Sequence, residues 1–341
     1  IQVISVSGCL LNLLLLYLIR RFSTKDLGTY KYLLGSFVAY DSYLVVVHHI
    51  INPKVIPSRT GFAVVSDREY GWLVSKNTIY AEKSSSLQEL VCFGSSYFYL
   101  KLQILPCFYS SCYSVPFTIL NIHLLYRFWT IREPHKIALF STRKFVSLLF
   151  TTTAFLQSLW FMSCYFLGRP EDSDEIHHYR SLFREEYEKE TNDGCFIMNY
   201  WRYGKLNVRP FFMLLIVDSS VILSFSLAST LATLTYQEIS KAHHISETIR
   251  AFQLRILLAA SAQTLTPVIF VYIPYFFNVT ISFFGIYSPT YSALGMVLLS
   301  FFPCIDAVVI IVLMRPYRDG LLRMLGRREH NIIMVNVTAF T

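Results

Sequence analysis

The sequence predicts an all-α membrane protein: a seven-transmembrane helix bundle with an extracellular N-terminus and a cytoplasmic C-terminus. Three observations predict it. Only 15% of the 341 residues are charged and 54% are hydrophobic, with a mean hydropathy of +0.44; a soluble domain carries about a quarter charged residues. The apolar residues collect in unbroken runs, each long enough to cross a ~30 Å hydrocarbon core as a helix. The basic residues gather in alternate connections between the runs. Lipid offers no partner to a free backbone N–H or C=O, so only helices and closed barrels can span. Continuous rather than alternating runs favour helices.

The spans follow in order. The first covers residues 3–19 and stops at Arg20-Arg21; the second covers 27–51 and stops at Asn52-Pro53. A long polar stretch leads to the third span, 104–130, where Pro106 and Pro116 are placed to kink it. The fourth, 145–167, is closed by Gly168-Arg169-Pro170, and another polar loop runs to Arg209. Pro210, a good first helical residue, opens the fifth span, 210–236. The sixth, 256–277, contains Pro267 and Pro274, and the seventh, 292–314, ends before Arg315-Pro316. Residues 315–341 form a tail. There Leu321, Leu322 and Leu325, bracketed by Arg318 and Arg323, fit a short amphipathic helix on the membrane surface. The chain opens at Ile1 already in apolar sequence, so its true start is expected to lie upstream.

Charge sets the orientation. The turn after span 1, the loops after spans 3 and 5 and the tail hold 17 basic and 6 acidic residues; the opposite side holds 13 of each. The positive-inside rule puts the first set in the cytoplasm. The net charge of +8 is therefore a face toward anionic lipid, and no nucleic-acid partner is expected. The 7 cysteines include no CxxC pair, and no phosphate-loop, nucleophile-elbow or zinc-protease motif occurs. No catalysis, cofactor or metal is expected. The absence of an internal repeat argues against an inverted-repeat transporter.

Four motifs, in order along nearly the whole chain, resemble the nematode Str/Srj serpentine chemoreceptors. They are Leu27-Gly28-Thr29-Tyr30-Lys31-Tyr32-Leu33, His123-Leu124-Leu125-Tyr126-Arg127-Phe128, Gln253-Leu254 with Gln263-Thr264-Leu265-Thr266-Pro267 and Tyr272-Ile273-Pro274, and Phe302-Pro303-Cys304-Ile305-Asp306 with Tyr317-Arg318. The pattern departs at Thr266, Phe302 and Ala307, and the first outer loop carries an insertion over roughly Tyr70–Gly94. The resemblance implies a G-protein-coupled, olfactory-type receptor in the plasma membrane of sensory neuron cilia. Its partners would be a small odorant or soluble cue and a heterotrimeric G protein. The alternatives are a seven-span ligand-gated cation channel of inverted topology and a non-functional receptor-like protein.

On that resemblance Tyr126 and Arg127, with Asp306, Tyr317 and Arg318, are expected to form the coupling switch. Without it, Arg127 reads as an interfacial arginine obeying the charge rule. Asp41, Asp218 and Asp306 are carboxyls within spans, where a charge is costly, so each is a functional candidate beside the plainer role of a helix-packing hydrogen bond. Asp218 lies about two turns below the outer end of its span. As a neutral acid it suits a carbonyl-bearing ligand, and as a carboxylate an amine. Tyr109 and Tyr113, four apart and so on one face, with Tyr272, Tyr275 and His48, are the further ligand-binding candidates, Phe161 and Tyr165 flanking them. The competing reading is an aromatic interface belt. Cys92 and Cys195 are a candidate outer disulfide, with Cys107 and Cys112 as rivals, and Asn278-Val279-Thr280 is an outer glycosylation sequon.

Overall fold

The computed structural model describes residues 2–24, 27–66, 103–170, 173–187, 195–241, 246–286 and 288–326. Helix α1 (Gln2–Phe22) and helix α2 (Tyr30–Ile51) cross side by side. Gly28, at φ +52, makes the turn between them, a backbone state that a side chain would resist. Helix α2 stops at Asn52, which takes a left-handed conformation, and Pro53 follows.

The third crossing is two pieces, α3 (residues 103–112) and α4 (Ser114–Arg132), broken at Tyr113. The break has a covalent cause. Pro116 has no N–H to give the carbonyl of residue 112, and the hydroxyl of Tyr40 donates to that carbonyl instead, at 2.9 Å. Helix α5 (Arg143–Leu167) is the most lipid-exposed crossing: Leu148, Phe150, Phe155 and Phe166 all point outward. Helix α6 (Ser173–Tyr187) lies outside the bundle, and α7 (Val208–Lys241) returns through it. Helix α8 (Glu247–Pro267) is capped by Ser246, whose hydroxyl accepts from the Ile249 N–H. It passes through a π-helical turn, Val268–Tyr272, into α9 (Ile273–Asn278). The Ile273 N–H reaches back to the Val268 carbonyl across that turn, which sits between Pro267 and Pro274, where α-helical bonding is already interrupted. Helix α10 (Pro289–Leu313) closes the bundle, and α11 (Arg315–Met324) turns off its end along α1.

Six helical segments are long and apolar enough to cross a membrane, and the broken third crossing completes the seven-helix fold.

The polar stretches flanking α3 and α6 are not featureless, as composition suggests. Strands β1 (Pro53–Ser58), β2 (Gly61–Ser66) and β3 (Cys195–Asn199) form an antiparallel sheet in the order β1-β2-β3. A smaller pair, β4 (Trp201–Arg202) and β5 (Lys205–Leu206), follows. Alternation along the strands divides the sheet into two faces. Ile56, Ala63, Val65 and Ile197 pack against Tyr179 and Phe183 of α6. Val55, Phe62, Val64, Phe196 and Met198 turn into the bundle. The sheet is pinned to the helices by Ser66 Oγ donating to Ile51 O (2.6 Å), Ile197 N to Gly168 O (3.1 Å) and Tyr200 Oη to Val279 O (3.1 Å). The insertion over roughly Tyr70–Gly94, with Cys92, lies outside the described residues.

Candidate functional site

Under the sheet the bundle encloses a cavity of about 130 Å³. Its roof is the inward face of the strands. Its walls include Tyr109, Tyr113 and Phe117 from the third crossing, Trp160 and Cys164 from α5, Met213, Val217 and Val221 from α7, and Val271, Tyr272 and Tyr275 from the sixth crossing. Gly295 on α10 also lines it; a Cβ there would stand 2.8 Å from Asn278 Nδ2, so glycine lets α9 and α10 approach this closely. Among the described residues, no Asp, Glu, Lys, Arg or His contributes to the wall.

Of the expected ligand residues, Tyr109, Tyr113, Tyr272 and Tyr275 line this space. His48 and Asp218 do not, and the reason is what each bonds. His48 Nδ1 meets Tyr109 Oη at 2.8 Å, Tyr109 Oη meets Tyr113 Oη at 2.9 Å, and Ser300 Oγ meets His48 Nε2 at 3.1 Å. These four groups make a buried chain from the cavity wall across α2 to α10. Asp218 sits half-buried between α7 and the sixth crossing. Thr280 Oγ1 donates to its Oδ2 at 3.2 Å, and the Tyr275 hydroxyl bonds the same carboxyl. The hydroxyl of the cavity-lining Tyr275 is thus engaged by Asp218. Tyr272 has no hydrogen bond to another described residue. Phe161 and Tyr165 stack behind the wall with centroids 5.9 Å apart.

Asn278 does not suit the glycan expected of its sequon. It is buried, its Nδ2 donates to Pro274 O at 2.8 Å, and its Oδ1 accepts from Ser292 Oγ. The side-chain nitrogen that a glycan would occupy is spent on a bond within α9, while the oxygen ties α9 to α10. Cys107, Cys112 and Cys164 are buried free thiols, and with Cys92 outside the described residues no pairing of Cys195 is assigned.

At mid-depth the Asp41 and Asp306 carboxyls, both fully buried, interact with each other across α2 and α10. Gln263 Nε2 donates to Asp306 Oδ2 at 3.5 Å, while Asp306 Oδ1 and both Asp41 oxygens have no donor among the described residues. Nearby, Asn12 Nδ2 donates to the carbonyls of Gly8 (2.9 Å) and Pro303 (3.0 Å), binding α1 to the start of the Asp306 turn.

The end of the bundle opposite the sheet is built around Arg127, only 3% exposed. Its guanidinium carbon stands 3.6 Å above the ring of Tyr30 and 5.7 Å from that of Tyr126. Tyr126 Oη bonds Thr29 Oγ1 at 2.7 Å. His123 bonds Leu33 O at 3.0 Å and sets its ring edge against Tyr30, centroids 5.5 Å apart. Tyr317 Oη meets Ser23 Oγ at 3.0 Å, and burial pushes its phenol up to about 12. Arg318, by contrast, is at the surface, near Asp319 (3.6 Å) and the Val312 carbonyl (3.5 Å), away from this cluster. Sequence reasoning named Tyr126 and Arg127 but not Tyr30. The signal was present, since Tyr30 is the fourth residue of the first family motif.

A bundle of membrane-length helices, with an apolar cavity under a sheet at one end and a buried arginine at the other, defines a seven-helix serpentine membrane protein. The chain belongs to the serpentine type 7TM GPCR chemoreceptor Str family, whose model matches residues 1–322. It is similar to serpentine receptor class r-10 of Caenorhabditis briggsae, 22% identical over 343 residues, covering 96% of this chain and 90% of that protein. The class r-10 receptor of Caenorhabditis elegans is likewise 22% identical, covering 94% and 88%, and class J-38 of C. elegans is 25% identical over 315 residues.

Proposed function

We propose that this protein is a G-protein-coupled chemosensory receptor of the plasma membrane, with the sheet and N-terminus outside and α11 inside. A small uncharged cue enters the cavity under the sheet, and the Arg127 end engages a heterotrimeric G protein. The observation that carries the reading is the cavity wall: among the described residues it is mostly rings and aliphatic side chains, with Ser110 and Asn278 as polar groups and no charged group. A charged ligand would lose its hydration there without gaining a partner. A cavity of ~150 Å³ with such a wall accepts benzene, so a ligand of that order of size fits. The excess of basic residues near Arg127 supports the orientation. The membrane position of sensory cilia follows the family role.

Arg127→Ala tests the coupling. Cue-evoked second-messenger output is expected to vanish while receptor density at the cell surface is unchanged. Undiminished output at equal density would reduce Arg127 to an interfacial anchor.

A further inference from the structure

Arg127 presents an unusual balance of interactions. Burying a guanidinium is costly unless a counter-charge or a full set of hydrogen bonds compensates. Among the described residues no carboxylate pairs with it, and its Nε and Nη2 have no hydrogen-bond acceptor. What it has is Tyr30, whose ring face stands 3.6 Å from the guanidinium carbon and whose hydroxyl also bonds the guanidinium. An aromatic face attracts a cation through its quadrupole, and the attraction grows when water is excluded. Tyr30 is itself held on all sides: it is 1% exposed, edge-on to His123, and 5.7 Å from the Tyr126 ring. The neighbouring Thr29 bonds Tyr126. Two successive residues of the turn into α2 thus grip two successive residues at the end of α4.

We propose that Tyr30 is the positioning residue that keeps the receptor silent: its ring face holds Arg127 inside the bundle until helix movement releases it. The proposal rests on the reading of Arg127 as the coupling residue. A ring is a shallower hold than a bidentate carboxylate, which forms charge-assisted hydrogen bonds as well as Coulomb attraction. Release then requires only that α2 and α4 separate, with no ion pair to break and no carboxylate left unpaired. The three motifs gathered here have a common purpose on this account. The first supplies the ring, the second the arginine, and Tyr317 of the last closes the side next to Ser23.

The test separates the electrostatic face of the ring from its bulk. Tyr30→Phe keeps the face; a ring-fluorinated phenylalanine introduced at position 30 by codon suppression keeps the shape but removes the negative face. Basal guanine-nucleotide exchange is measured with no ligand, on membranes carrying equal surface receptor and a co-expressed G protein. Tyr30→Phe is the reference, because it and the fluorinated ring both lack the hydroxyl that bonds Arg127. Relative to Tyr30→Phe, the fluorinated ring should raise basal exchange on the order of tenfold, the scale on which a desolvated cation–π contact shifts a two-state balance. In parallel, the melting temperature of purified receptor is followed through a double-substitution cycle of the fluorinated ring with Arg127→Gln, where a direct stack predicts non-additive shifts. Basal exchange unchanged by fluorination, or an additive cycle, overturns the proposal. If no receptor, substituted or not, supports exchange above receptor-free membranes, the G-protein reading fails instead. The melting cycle still decides whether the ring holds the arginine.

Discussion

Filling the cavity with a side chain gives a direct check on whether the space under the sheet is a binding site. Val217 is 2% exposed and faces the cavity from α7. Val217→Phe places a ring in a space of about 130 Å³. A cavity of ~150 Å³ holds one benzene, so one added ring occupies most of the room. If the space is empty without ligand, burying the ring adds apolar contact and contributes up to roughly 1.5–3 kcal/mol. If the wall instead closes on itself, the ring must be forced in at a cost of about 1–3 kcal/mol. The two cases differ in sign, which makes the outcome readable. The purified receptor in detergent should melt at the same temperature as the parent or a few degrees higher. The same receptor in cells should reach the surface normally and lose its response to any neutral cue that activates the parent. A clear fall in melting temperature, or a dose–response curve that does not move, would refute the assignment of this cavity as the ligand site.

Three further outcomes are expected. An epitope tag placed after Thr341 should be invisible to antibody on intact cells and appear on permeabilisation; staining of intact cells would reverse the orientation and favour the inverted channel. Asp218→Leu should destabilise the receptor by about 1–3 kcal/mol, because Thr280 and Tyr275 lose their shared acceptor, whereas Asp218→Asn keeps an acceptor and should cost less. A melting series that ranks the two the other way would show that Asp218 is not the tie between α7 and the sixth crossing. Treatment with a glycosidase should leave any signal from position 278 unchanged, and Asn278→Ala should lower the melting temperature by the loss of its bonds to Pro274 and Ser292; a mass shift that disappears in Asn278→Ala would restore the sequon.

The sequence by itself determined the seven-helix class and the family. Both rest on signals that stay local along the chain. A segment in lipid must satisfy its backbone internally, so an apolar run such as 210–236 or 292–314 already implies a helix. The motifs around Tyr30, Arg127, Pro267 and Asp306 are short strings that need no tertiary contact to be read. Tertiary structure alone decided which way each span turns. When nearly every residue of a helix is apolar, polarity does not mark the inward face, so the partners of Asp218 and His48, Thr280 with Tyr275 and Tyr109 with Ser300, were not legible in the sequence. The sheet was hidden for a different reason: Gly61 pairs with Asn199, and no local pattern announces a partner that far along the chain. Asn278 carried a correct sequon string, but a string does not report that its nitrogen is buried. The hold on Arg127 depended on two motifs meeting, Thr29-Tyr30 against Tyr126-Arg127, and only packing brings a ring from one helix to 3.6 Å from a guanidinium on another.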